Sequence, residues 1–472
     1  MVRRAVLVAA LLWLAGCGDD GAAPGPDAAD TRDAAAPGDD GSGGGDAPAP
    51  DAAADAPDSG PDVGSDTIDA ATDVPPPPEG RPHGASCEKP QQCTGRLCLT
   101  PQVDPAFVGG YCSGTCVATD PASCGPGAAC FDLEGLPLCV ARCASAADCR
   151  TPGYVCAGSC VPAAFTADVT LPGVLDGTEA DVADVVAAVD LDRMLRRVRV
   201  LSGDLPYDGG AGEVTITSRD VLHPDHALAE EYLAAELVAA GLDVTRDEFA
   251  DFAGMTNLVA EVPGLDPDLP PVLIVAHYDS TSYSTEAADP YTDPAPGASD
   301  NASGVAIALE VAGALVAPDA PRLRRTVRLV LFDGEEWGLY GSRHYVAELE
   351  QAGEPTACAV NVDMVGAAAD ATAGHFWLLL EGDADASGAL GLEAIRTFVP
   401  AAGPVPTAME DTGGSDGTSF GERGRCALSL IAWPRLPTNH TTGDLVADFQ
   451  PAFFESVARS AAAVVAALAG QD

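Results

Sequence analysis

Short, largely apolar runs recur through the second half of the chain, at Asn257 to Val262, Val272 to Ala276, Val327 to Phe332 and Ala359 to Val362. Runs of this length are the pattern of strands covered on both faces, as in parallel sheets. Elsewhere the period lengthens to that of a helix. Ala227 to Ala240 carries Leu228, Tyr232, Ala235, Val238 and Ala239 at helical spacing and ends before Gly241, a residue suited to a C-cap. A further helix sets Val305, Ala308, Leu309 and Ala312 on one face. Strands alternating with helices predict an α/β domain over residues 163–472, with a mixed, mostly parallel central sheet flanked by helices.

The chain before residue 163 has no such pattern. Arg3 and Arg4 precede an apolar run from Ala5 to Leu14, the length of a signal-peptide core and too short to span a bilayer as a helix. The run ends in Leu14-Ala15-Gly16-Cys17, which resembles a bacterial lipobox. The resemblance implies removal of residues 1–16, a lipid on Cys17 as the only membrane attachment, and, with Gly18 rather than Asp next, an outer-membrane or surface address. No other stretch reads as a transmembrane helix. Residues 17–80 are then expected to be a disordered stalk: from Gly18 to Gly80 almost every residue is Asp, Ala, Pro, Gly or Ser, with sixteen acidic residues and one basic one, Arg32.

Twelve cysteines lie between Cys87 and Cys160 and divide into three groups of four: 87, 93, 98 and 112, then 116, 124, 130 and 139, then 143, 149, 156 and 160. Zinc would need closer pairs or histidines; there is no CxxC pair and His83 is the only nearby histidine. In an exported chain the spacing predicts three tandem units of two disulfides each over residues 81–162, with three pairings open within each unit.

Charge narrows the function. The 472 residues hold 24 Lys plus Arg against 71 Asp plus Glu, a net charge of -47, and Lys89 is the only lysine. Such a chain is no reader of phosphate backbones, so nucleic acid is excluded as a partner. From Thr166 onward there remain 16 basic and 49 acidic residues, a negative field that favours substrates with a free amine.

The residues just past each apolar run carry the chemistry, because ligands of α/β sheets gather beyond the carboxyl ends of the strands. After Val272 to Ala276 comes His277-Tyr278-Asp279-Ser280, and after Val327 to Phe332 comes Asp333-Gly334-Glu335-Glu336. Asp363 comes directly after Ala359 to Val362, Asp300 lies in Gly297-Ala298-Ser299-Asp300-Asn301-Ala302-Ser303-Gly304, and His440 opens His440-Thr441-Thr442-Gly443-Asp444. Two imidazoles with several carboxylates suit divalent ions, zinc above all.

These motifs, HYDS, GASDNASG, DGEEWGLYGS, NVDMVG and NHTTGD, resemble in kind and order those of the M28 family of co-catalytic zinc peptidases. The resemblance covers roughly 215 to 470. It implies a zinc-aminopeptidase-like fold, two Zn2+ per chain and hydrolysis of peptides at a free N-terminus. It further implies His277 and Asp363 on one zinc, Glu336 and His440 on the other, Asp300 between them, Glu335 as general base and Asp279 as the carboxylate orienting the histidine. Glutaminyl cyclases share HYDS, DGEE and LYGSRH and use one zinc, so cyclisation of N-terminal glutamine is the alternative chemistry. A non-catalytic adhesin or receptor on the same fold is a third, disfavoured by an intact general base. Where some members have a tyrosine donating to the oxyanion, this chain has Asn439, whose amide could donate. The Asp416 loop departs from the family's SDH segment at Gly417. His83, His223, His226, His344 and His375 read as structural. Cys358 and Cys426 each open a strand-like run, and either a disulfide or two buried thiols fits the sequence.

Overall fold

The structure, a computed structural model, describes residues 80–101, 107–116, 123–133, 136–150, 153–156, 159–163, 175, 178–250, 254–368, 375–399, 407–410 and 414–471. The signal segment, Cys17 and the acidic linker lie outside these residues.

The cysteine-rich segment is three small antiparallel hairpins, Leu97–Leu99 with Tyr111–Ser113, Ala128–Leu133 with Leu136–Ala141, and Tyr154–Cys156 with Cys160–Pro162. All twelve cysteines are paired: 87–98 with 93–112, 116–130 with 124–139, and 143–156 with 149–160. Each unit therefore joins its first cysteine to its third and its second to its fourth, the connectivity that sequence left open. Tyr111 ties the units together, its hydroxyl donating to Cys160 O at 2.9 Å and accepting from Ala141 N at 3.0 Å. Cross-links stand in for a core here, since so few residues bury little apolar area.

The remainder is built on an eight-stranded sheet: β1 (Val244–Phe249), β2 (Met255–Val262), β3 (Val272–His277), β4 (Val327–Phe332), β5 (Cys358–Asp363), β6 (His375–Glu381), β7 (Thr407–Glu410) and β8 (Ala427–Trp433). Their spatial order is β7-β6-β8-β5-β3-β4-β2-β1. The four central strands β8, β5, β3 and β4 are parallel, while β2 is antiparallel to β4 and β6 to β8. The apolar run of β2 thus does not mark a parallel strand. The mixed, mostly parallel α/β class is as the periodicity predicted.

Burial follows the period of two. On β3, Val272, Ile274 and Ala276 face a large core, while Leu273 and Val275 face a smaller one with Tyr345, Val346 and Phe420. The large core takes helices α1 (Glu179–Ala187), α2 (Leu191–Leu201), α3 (His226–Ala239), α4 (Ser303–Val316), α6 (Asp385–Phe398) and α7 (Pro451–Gly470); α5 (Tyr340–Ala352) covers the other face. In α3 the buried stripe is Ala229, Tyr232, Leu233, Ala234 and Leu237, whereas Val238 is 62% exposed. The buried face is thus one position off the periodicity, because the alanines around it leave the stripe ambiguous in sequence. Helix α7 is long and apolar enough to cross a membrane, contrary to expectation, but 78% of its apolar window is buried against the sheet and its helices, as a core helix requires.

Cys358 and Cys426 open the neighbouring strands β5 and β8 and form a seventh disulfide. At the opposite end of β8, Trp433 Nε1 donates to Ser159 Oγ of the third disulfide unit at 3.2 Å, and both residues are buried.

Candidate metal centre

The parallel register brings the motifs to one rim. His277 closes β3 beside Phe332, and Asp363 closes β5, so the residues after β4 and the loop into α4 converge above them. His277 Nε2 lies 3.3 Å from Asp363 Oδ1, 3.4 Å from Asp300 Oδ1 and 3.9 Å from Glu335 Oε2. On the other side His440 Nε2 lies 2.9 Å from Asp300 Oδ2 and 3.4 Å from Glu336 Oε2. One carboxylate, Asp300, thus turns an oxygen toward each imidazole. All seven residues singled out in the sequence are brought together.

Asp279 joins the two halves. Its Oδ1 accepts from Glu335 N at 3.0 Å and sits 3.4 Å from His277 Nδ1, while its Oδ2 accepts from Glu336 N at 3.1 Å. One buried carboxylate therefore sets the imidazole and the turn that splays the two glutamates.

The loop carrying Asp300 is stitched down from three sides. Asp444 accepts from Ser299 N at 2.8 Å and Asp300 N at 2.9 Å; Asn301 Nδ2 donates to Val362 O at 2.9 Å; Gly304 N donates to Asn301 Oδ1 at 2.8 Å. A Cβ at Gly304 would meet Val362 O, so the close approach of α4 to the end of β5 admits only glycine there. Of the five described non-glycine residues in left-handed backbone, three fall within the site's motifs, Leu339, Met364 and His440, a conformation held at functional sites by surrounding contacts.

Three supports of the site are not legible in the sequence. Arg219, fully buried, donates to Leu201 O, Tyr278 O and Pro296 O at 2.7 Å each and to Gly297 O at 2.9 Å. Burial pulls its guanidinium down to about 10, which leaves it a cation behind the acidic rim. Asp444 closes the NHTTGD run with no role that spacing gives it, and Tyr283, whose hydroxyl lies 2.7 Å from His440 Nδ1, belongs to no motif. No local signal marks Arg219 or Tyr283; each matters through partners far along the chain. Of the histidines read as structural, His226 Nε2 pairs with Asp333 Oδ2 at 3.0 Å and His344 Nε2 with Asp247 Oδ1 at 3.1 Å, both outside the cluster. Ser415 Oγ donates to Asp363 Oδ2 at 2.8 Å, which gives the Asp416 loop a role through its neighbour. Asn439 is 8% exposed and its amide has no hydrogen-bond partner.

Electrostatics makes this set uncomfortable without a cation. Burial first, and neighbouring carboxylates second, push Glu336 well above the carboxylate range; burial does the same to Glu335 despite the nearby His277 ring. Burial also lifts Asp416 to about 7. Asp300 goes the other way: burial resists its ionisation, but the His440 and His277 rings outweigh it and hold it far below the usual range. Glu336 Oε1 is buried without a partner. The donor set fits divalent ions. Nitrogen and oxygen ligands held at about 2.0 Å in a tetrahedron lie roughly 3.3 Å from one another, and the imidazole-to-carboxylate distances of 2.9–3.4 Å in the two halves are of that size.

Fold and donor set together describe an α/β protein with a candidate centre for divalent cations on the rim of its parallel strands. Residues 257–465, which span all five motifs, match the model of Peptidase family M28. Among curated proteins the chain is 38% identical over 112 residues to a probable zinc metalloprotease of Leptosphaeria maculans, covering 24% of this chain and 25% of that one. It is 31% identical over 166 residues to aminopeptidase YwaD of Bacillus subtilis, covering 35% and 32%. The chain thus spans about a quarter to a third of the length of these relatives. The LapA aminopeptidase of Legionella pneumophila shares the fold, with a TM-score of 0.52 and 18% identity over 66% of this chain and 80% of that one.

Proposed function

We propose that the chain is a zinc-dependent exopeptidase that removes N-terminal residues from peptides, with two zinc ions per chain. The observation that carries this reading is Asp300, whose two oxygens face His277 and His440 separately, with Glu335 Oε2 3.9 Å from His277 Nε2. His277, Asp363 and Asp300 would hold one ion, and His440, Glu336 and Asp300 the other. Zinc bound there would lower the pKa of a water toward neutrality and polarise the scissile carbonyl. Glu335 takes the proton of the attacking water and hands it to the leaving amine, a role suited to a carboxylate that faces the donor set. Asp279 keeps His277 oriented and the glutamate turn in place. Asn439 offers an unpartnered amide beside His440, able to donate to the developing oxyanion.

The relatives' names, a zinc metalloprotease and an aminopeptidase, support the same chemistry. The lipobox-like Leu14 to Cys17 supports a lipid anchor at Cys17. Metal analysis with parallel assays on aminoacyl-arylamides and on peptides beginning with glutamine tests the reading. Two zincs per chain with hydrolysis support it; one zinc with pyroglutamate formation replaces it with a glutaminyl cyclase.

A further inference from the structure

The geometry points to Tyr283 and Thr285 as positioning residues for His440, by which the loop after His277-Tyr278-Asp279-Ser280 sets one half of the metal centre. This deepens the reading above and rests on His440 being a ligand. The segment Tyr283 to Thr285 is joined to His440 to Thr442 at four points. Tyr283 Oη lies 2.7 Å from His440 Nδ1, Ser284 N donates to His440 O at 2.9 Å, Thr442 N donates to Thr285 Oγ1 at 3.0 Å, and Thr285 Oγ1 donates to Thr442 Oγ1 at 3.4 Å. The phenol ring also packs against the imidazole at a tilt of 36°, with centroids 4.9 Å apart.

His440 has more need of such support than His277. The His277 side chain is 1% exposed and packed at the end of a central strand, with Asp279 at its Nδ1. The His440 side chain is 24% exposed and sits on a loop in left-handed backbone, φ 59°, and Tyr283 occupies the place at its Nδ1 that Asp279 takes in the other half. When Nε2 gives its lone pair to a cation, the proton of the neutral imidazole is on Nδ1, so Nδ1–H donates and Tyr283 Oη accepts. That bond fixes both tautomer and ring direction.

Tyr283→Phe keeps the ring and removes the acceptor; Tyr283 is 64% exposed, so the fold does not depend on its hydroxyl. Thr285→Val removes the loop's bond to Thr442 N, and Thr285→Ser retains it. Metal-free wild type and variants are titrated with zinc against a chromogenic chelator, and kcat and KM are measured in parallel. The expected result is that Tyr283→Phe weakens one zinc equivalent by about 10- to 100-fold and leaves the other unchanged, with kcat lowered and KM unmoved. Thr285→Val does the same more weakly, and Thr285→Ser behaves as wild type. Wild-type affinity for both equivalents in Tyr283→Phe and Thr285→Val overturns the inference, as does equal weakening of both. A wild-type chain that binds fewer than two zincs overturns the reading beneath it and this inference with it, and the wild-type titration alone tells that case apart.

Discussion

Replacing Asp279 with asparagine separates its two duties. Both oxygens of this fully buried carboxylate are in use: Oδ1 serves Glu335 N and His277, and Oδ2 serves Glu336 N. Asparagine has one acceptor. The rotamer that keeps its oxygen at the Oδ1 position preserves two of the three partners, so Glu336 N is the group left facing an amide hydrogen. The loss is one hydrogen bond to a charged group from a part-buried N–H, roughly 3 kcal/mol. At about 2 °C per kcal/mol for a body of this size, the midpoint of thermal unfolding falls by roughly 6 °C. The displaced turn carries Glu336, so the zinc proposed for Glu336, His440 and Asp300 should weaken first, by about 10- to 100-fold, with kcat falling alongside. Asp279→Ala, which removes every bond, should be worse on both counts. The assays are calorimetry, zinc titration against a chelator and hydrolysis of an aminoacyl-arylamide. Two zinc equivalents held as in wild type in Asp279→Asn, or an alanine variant no worse than asparagine, would refute the reasoning.

Glu335→Gln should retain both zincs and lose about two to four orders of magnitude in kcat; peptide hydrolysis left intact removes Glu335 from the mechanism. Asn439→Ala should lower kcat by about 100-fold if its amide meets the oxyanion, and an unchanged turnover number ends that role. His226 provides a pH signature: burial opposes its charge, but Asp333 prevails and raises it to about 9 from an ordinary 6.5. A histidine raised on folding stabilises fully below its unfolded value, and that stabilisation is lost as pH rises through about 9, an amplitude of roughly 3 kcal/mol. The difference in unfolding free energy between wild type and His226→Gln should therefore shrink between pH 7 and 10, and a constant difference contradicts the ion pair. Finally, the Cys358–Cys426 bond closes a loop of sequence separation 68, so removing both cysteines should cost about 4 kcal/mol by loop entropy, read as a lower denaturant midpoint.

By itself the sequence determined where the strands end and which side chains stand there. Apolar runs are local, and in a parallel sheet the residue after the run is by construction at the rim, so His277, Glu335, Glu336 and Asp363 could be placed without coordinates. Three units of two disulfides came in the same way from spacing and compartment. The tertiary structure alone decided the rest. That β5 lies between β3 and β8 is what sets Asp363 beside His277 and what joins Cys358 to Cys426. That β2 runs antiparallel to β4 could not be read from its composition, because a strand buried on both faces looks the same in either direction. The first-to-third, second-to-fourth cysteine pairing depends on how each hairpin folds back. Arg219, Tyr283 and Asp444 took their roles from partners 18 to 157 residues away. Hydrophobic periodicity reports what a residue does to its own segment; hydrogen bonds between distant loops depend on distances that only packing sets.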